Sequence, residues 1–151
     1  MKGYWNLPDA SKRTMTEDGW LRTGDAGYLD EDGYVYVHDR VKDMIISGAE
    51  NIYPAEVESA IFGHPAIAEV AVIGVPDDKW GETVKALVVR RPGHDDVDEA
   101  ALVAHCRAHI AHYKCPTSIE FRDELARTAT GKLQKFKLRS PYWEGREKLV
   151  N

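Results

Sequence analysis

Short apolar runs, broken by glycine, proline and charge, divide this chain into strands and helices of modest length. Gly27-Tyr28-Leu29 and Tyr34-Val35-Tyr36-Val37-His38 are β-rich and flank Asp30-Glu31-Asp32-Gly33. Two such runs around an Asp-Gly turn predict a hairpin. Ahead of it, Met1 to Asp18 reads as loop with one helical turn, and Gly19-Trp20-Leu21 as a short strand running into a turn at Thr23-Gly24-Asp25. Met44-Ile45-Ile46 predicts a strand and Ser47-Gly48-Ala49-Glu50-Asn51 a loop. Pro54 opens a helix that runs to Phe62, with Glu56 and Glu58 at its positive end and Val57, Ala60 and Ile61 facing a core. Gly63-His64-Pro65 stops it. Ile67 to Val75 predicts a strand, Pro76-Asp77-Asp78 a turn, and Lys85 to Arg90 a second strand closed by Pro92-Gly93. Asp98 to about His112 predicts a helix with Leu102, Val103, Cys106 and Ile110 on one face. Ile119-Glu120-Phe121 is a short strand, and a Thr/Gly-rich loop, Arg127 to Gly131, precedes a basic helix from about Leu133 to Arg139.

Strands alternating with helices in so small a space predict an α/β (α+β) fold, a compact domain with a small, mostly antiparallel sheet and helices packed on it. The first segment differs. Residues 1–39 hold an acidic loop and a hairpin with no core of their own, and a lone hairpin is marginal in water. They are expected to belong to a larger body, which divides the chain into 1–39 and 40–151.

Length and composition narrow the class. The 151 residues suit one ordinary domain, or a small domain plus a piece of another. No run of about 18 apolar residues predicts a membrane-spanning helix. The opening residues lack a secretory apolar run, and Cys106 and Cys115 have no metal or redox spacing, so a cytoplasmic location is expected. A net charge of −5 argues against general nucleic-acid binding. That charge is uneven: residues 127–151 carry +5 against an acidic body. A basic end can place cations near an anionic ligand or can simply be a solvated helix end.

Three places carry chemistry. Asp25, just after a glycine turn, can offer both oxygens to a ribose diol, or can merely close the turn. Asp39-Arg40-Val41-Lys42-Asp43 is a charged break of the kind that joins domains; Arg40 can reach a ribose or phosphate oxygen, or lie on the surface. Thr128-Ala129-Thr130-Gly131-Lys132 sets a lysine beside a glycine, where a backbone can approach an anion, although alone it reads as a helix start with a solvated lysine. It lacks the first glycine of a Walker phosphate loop. His105, His109 and His112 share helical spacing but no acidic or sulfur partner, and read as a solvated face rather than a metal site. Trp80, before Gly81-Glu82, reads as the cap of a strand turn.

Taken in order, the motifs are specific. Gly3-Tyr4-Trp5-Asn6, Gly19-Trp20-Leu21-Arg22-Thr23-Gly24-Asp25, Asp39 to Gly48, Glu50-Asn51-Ile52-Tyr53-Pro54 and Arg127-Thr128-Ala129-Thr130-Gly131-Lys132 together closely resemble the carboxyl-terminal part of adenylate-forming enzymes. These are the acyl-CoA synthetases, their luciferase relatives and the adenylation domains of peptide synthetases. Met44 to Pro54 looks most like fatty-acid and aryl acyl-CoA ligases.

The resemblance implies an acid–thiol ligase acting in two steps, adenylation of a carboxylic acid by ATP and then transfer to CoA. It also implies a small C-terminal lid that swings over a large N-terminal domain. Residue by residue, it implies that Asp25 and Arg40 hold the ribose, Lys42 is the hinge, and Lys132 serves adenylation by charge and position. Ser47, Gly48, Ala49 and Glu50 would line the CoA channel. The cofactors implied are ATP and CoA, with Mg2+ held by the N-terminal domain; the partners implied are a carboxylic acid, whose pocket would lie in that large domain, and the domain itself. A fatty acid leads among the acids and an aryl acid follows. A carrier-protein thiol in place of CoA, or a non-catalytic module that keeps the lid fold, are the alternatives. Ala49 stands where many relatives have glycine, and Ala126 where many have proline. The phosphate loop, the adenine-binding segment and the acyl pocket of such enzymes have no counterpart in these residues, so the chain by itself is expected to be inactive.

Overall fold

A computed structural model describes residues 1–146. The chain forms two compact units, Met1–Val41 and Lys42–Asn151. In the first, helix α1 (Pro8–Thr14) starts on a proline and is longer than the single turn expected from sequence. Ser11 ties its start, accepting from the Tyr4 N–H at 2.8 Å and donating to the Leu7 carbonyl at 2.9 Å. Gly19-Trp20-Leu21 makes no strand. Gly19 sits at φ +89°, the Thr16 hydroxyl accepts the Trp20 N–H at 2.8 Å, and Leu21 makes only an isolated bridge to Met15.

The expected hairpin is present. Strand β1 (Asp25–Leu29) pairs antiparallel with β2 (Val35–Arg40), and the Asp30 carboxylate accepts the N–H groups of Asp32 and Tyr34. No residue of this unit is buried. Trp5 is 96% exposed, and Tyr34, Val35 and Val37 are each more than 60% exposed. These side chains find no cover among the described residues.

The second unit has a core. Its sheet runs β4 (Glu50–Ile52), β3 (Ile45–Ser47), β6 (Gly81–Arg90), β5 (Ile67–Asp77), and β7 (Ser118–Phe121) lies parallel to β6. All other pairings are antiparallel, in agreement with the expected fold. Side chains alternate between the two faces of the sheet. Val72, Ala86 and Val88 pack with Val57 and Ile61 of α2 (Pro54–Phe62) and with Leu102 and Cys106 of α3 (Glu99–His109). Ala71, Ile73 and Leu87 pack on the other side with Leu125 and with Leu138 of α4 (Lys135–Arg139). Covering both faces explains why β5 and β6 are continuously apolar rather than alternating. Each fully buried Leu, Ile or Val contributes about 1.5–3 kcal/mol.

Four boundaries differ from the sequence reading, the first being β6, which begins at Gly81 rather than Lys85. Strand β5 continues through Pro76 and Asp77 instead of turning there. It is an edge strand, where proline's missing donor costs no ladder bond. Its outer edge is instead met by side chains: the Val72 N–H donates to Glu58 at 2.7 Å, and Trp143 Nε1 donates to the Gly74 carbonyl at 2.9 Å. Such cover prevents edge-to-edge pairing. Helix α3 ends at His109, because Ile110 is extended (φ −133°); its start is capped as expected, Asp98 accepting from the Ala101 N–H. Ser47 to Asn51 is not an open loop but the tight end of the β3–β4 hairpin.

Candidate functional site

Asp25 opens β1 and Arg40 closes β2, and the hairpin register sets them opposite each other. Arg40 Nε meets Asp25 Oδ1 at 2.9 Å, and Arg40 Nη1 donates to the Thr23 carbonyl at 3.1 Å. The Asp25 N–H donates to the Thr23 hydroxyl at 3.2 Å, and the Val41 N–H to the Gly24 carbonyl at 2.8 Å. Gly24 takes φ +77°, the left-handed backbone this corner needs. The two residues that sequence proposed separately for one ribose are therefore neighbours. The aspartate side chain is 31% exposed and the arginine 50%, so the carboxylate is held in place yet reachable.

Ser47 and Glu50 pair across β3 and β4, leaving Gly48 and Ala49 as a two-residue turn with φ +57° and +71°. Two consecutive positive φ values are the signature of a type I′ hairpin turn. The Gly48 N–H donates to the Trp80 carbonyl at 2.9 Å, and a Cβ on Gly48 would lie 2.6 Å from Trp80 Cε3. Trp80 thus supports this turn, with Lys79 Nζ 4.5 Å from its ring centre. Its own turn is closed by Asp77, which accepts from the Lys79 and Trp80 N–H groups.

Thr128 to Lys132 is a hairpin rather than a helix start. Arg127 and Leu133 form a bridge, the Gly131 N–H donates to the Thr128 carbonyl at 2.9 Å, and Gly131 lies at φ +84°. The Thr128 N–H donates to the Lys132 carbonyl at 2.8 Å, and the Lys132 N–H to the Thr128 hydroxyl at 3.0 Å. The Lys132 side chain is exposed. Arg127 holds the loop from outside, reaching both Glu69 and the Gly131 carbonyl.

Lys42 lies in a 3₁₀ turn, Val41–Asp43, at the first position of the second unit. Arg139 of α4 donates to its carbonyl at 3.3 Å and pairs with Asp43 at 3.7 Å. Within this unit the Gly48 turn sits by Trp80, beyond the Asp77 end of β5, while the Lys132 loop is tied to Glu69 near its start. About 25 Å of strand separates Glu69 from Asp77 at ~3.3 Å per residue, so the two loops stand near opposite ends of β5.

The histidines do other work. His105 Nε2 lies 3.0 Å from the Ala60 carbonyl, and its ring meets His64 edge-on at 5.0 Å. Among the described residues no group of three His, Cys, Asp or Glu side chains could hold a metal ion. Burial, aided by nearby Cys115, pushes the Cys106 thiol up to about 11, which leaves it protonated and unreactive. Sequence reading missed the roles of Glu69, Arg127 and Arg139, whose partners lie too far along the chain to give a local signal. It noticed Trp80 but not that the indole supports the Gly48 turn.

Residues 56–132 match the AMP-binding enzyme C-terminal domain, and the chain belongs to that family. Its structural neighbours are C-terminal domains of adenylate-forming enzymes. The chain is 49% identical over 142 residues to long-chain-fatty-acid–CoA ligase FadD13 of Mycobacterium tuberculosis, covering 94% of this chain and 28% of that protein. It is 44% identical over 151 residues to fatty acid–[acyl-carrier-protein] ligase ScoC of Streptomyces coeruleorubidus, covering all of this chain and 29% of that one. The structure of ATP-bound MatB from Rhodopseudomonas palustris matches with a TM-score of 0.86 and 43% identity, over 93% of this chain and 28% of that chain. The chain thus spans under a third of the length of these relatives. Among the described residues no helix is long and apolar enough to cross a membrane.

Proposed function

We propose that this chain is the moving lid, with the last segment of the large domain, of a cytoplasmic, AMP-forming acyl-CoA synthetase. In the first step a carboxylate oxygen attacks the α-phosphorus of ATP and pyrophosphate leaves. In the second the CoA sulfur attacks the acyl carbonyl and AMP leaves. Asp25 accepts the ribose hydroxyls, while Arg40 keeps that carboxylate aimed. The Lys132 ammonium pairs with the carboxylate substrate and with phosphate oxygens, lowering the barrier by charge and placement without taking a proton. The Ser47-Gly48-Ala49-Glu50 turn lines the pantetheine channel in the second step, and Lys42 is the pivot between the two poses.

One observation carries this reading: the Lys132 loop and the Gly48 turn stand near opposite ends of β5. One reaction centre can use both only if the lid reorients between steps. The uncovered apolar residues of Met1–Val41 support a large partner domain, which on this reading also holds Mg2+. Alone, the 151 residues are inactive. A fatty acid is the substrate class we favour, on the likeness to FadD13. The likeness to ScoC over the whole chain supports a second reading, in which the acceptor is a carrier-protein thiol.

The test is AMP release by a full-length enzyme containing this chain, with fatty and aryl acids, with CoA or a phosphopantetheinylated carrier. Lys132→Ala should lower adenylate formation at least about a hundredfold and spare thioester formation from supplied acyl-adenylate. Equal loss in both half-reactions removes the assigned role. AMP formation by the isolated chain overturns its inactivity.

A further inference from the structure

We propose that Glu69 and Arg127 are positioning residues for Lys132, an ion pair that fixes the lysine loop against the sheet for adenylate formation. This rests on the role given to Lys132 above. Arg127 Nη2 and Nε lie 2.5 and 3.2 Å from Glu69 Oε2, and Nη1 donates to the Gly131 carbonyl at 2.8 Å. One planar guanidinium therefore joins a strand residue 58 positions away to the residue immediately before Lys132.

Ala126 and Leu133 seat the base of the loop on the core, and Arg127 is what ties its tip to the sheet. Its internal bonds, from the Thr128 N–H to the Lys132 carbonyl and from the Lys132 N–H to the Thr128 hydroxyl, shape the turn without tying it to anything else. Glu69 belongs to β5, which pairs with β6 along its length and packs on both helical layers. Arg127 transfers that rigidity to the loop. The side chains of the pair are 43% and 36% exposed, so it adds little to global stability. Its effect is local: Arg127 fixes the Gly131 carbonyl beside Lys132, while Thr128 holds both main-chain polar groups of the lysine. A reacting group displaced by about 1 Å can lose about a hundredfold in rate, so a clamp of this kind acts on chemistry before it acts on folding.

The experiment compares Glu69→Gln and Arg127→Lys in the 151-residue chain and in a full-length enzyme containing it. In the chain, Glu69→Gln should speed amide hydrogen exchange at Thr128 and Lys132 about tenfold and leave Leu87 and Val88 unchanged. In the enzyme it should lower kcat for adenylate formation about tenfold, with thioester formation from supplied acyl-adenylate within about twofold. Arg127→Lys, which keeps the charge but loses the fork, should fall between native and Glu69→Gln. Unchanged loop exchange, or equal loss in both half-reactions, overturns the clamp. If Lys132→Ala lowers adenylation while Glu69→Gln does not, the clamp alone fails. If Lys132→Ala spares adenylation, the role of the lysine fails with it.

Discussion

Ala49→Gly should stabilise the second unit, although it deletes a methyl group. Ala49 occupies φ +71°, where an L side chain crowds its own carbonyl at a cost of about 1–2 kcal/mol. Glycine removes that strain but frees the unfolded chain, which costs about 0.5–1 kcal/mol. The net gain is about 0.5–1 kcal/mol, which for a domain of this size raises Tm by roughly 2–6 °C. Gly48→Ala is the opposing control. It adds the same strain at φ +57° and puts a Cβ 2.6 Å from Trp80 Cε3, so the indole must move off the turn. We expect a loss of at least about 1 kcal/mol there. Thermal unfolding of the 151-residue chain by circular dichroism reads both, and tryptophan emission reports the displaced ring. A lower Tm for Ala49→Gly, or an unchanged one for Gly48→Ala, would refute the strain argument.

Lys42→Pro in the full-length enzyme fixes φ at the proposed pivot and should slow one half-reaction at least severalfold more than the other; equal rates in single-turnover assays remove Lys42 from that role. Burial, followed by repulsion from His105 and His94, holds His64 below the ordinary imidazole value of 6.5. The fold favours the neutral ring, so this contribution is complete above about pH 6.5 and is lost as pH falls through the lower folded value. Native protein should therefore lose more Tm than His64→Gln between pH 7.5 and pH 5 (values chosen to bracket about 6.5), and equal losses would contradict the assignment. The Tyr142 hydroxyl donates to Glu120 at 2.5 Å and, ahead of Arg122, holds that carboxyl below 4.5. Its contribution is present above that pH and disappears as pH falls through the folded value. Tyr142→Phe should cost about 1 kcal/mol after allowance for solvent and move the Glu120 titration upward by NMR; an unmoved titration would deny the hydrogen bond its effect.

How much of the site could be read in advance depended on distance along the chain. The Asp30 turn, the Pro54 helix start and the Asp98 cap each depend on groups within four residues, and each was legible. The ordered motifs also led to the family, since their chemistry is carried by residue identity. Thr128 to Lys132 is not legible locally, because its closure pairs Arg127 with Leu133 and its tie to the sheet runs to Glu69. Nothing in the five residues themselves separates a hairpin tip from a helix start.

Local composition by itself determined the element types, the two-sided apolar strands and the residues able to do the chemistry. Only the tertiary structure decided that Asp25 faces Arg40, that Trp80 supports the Gly48 turn, and that this turn and the Lys132 loop stand near opposite ends of β5. Periodicity and capping act within a few residues, whereas strand order and register follow from burying the whole sheet at once.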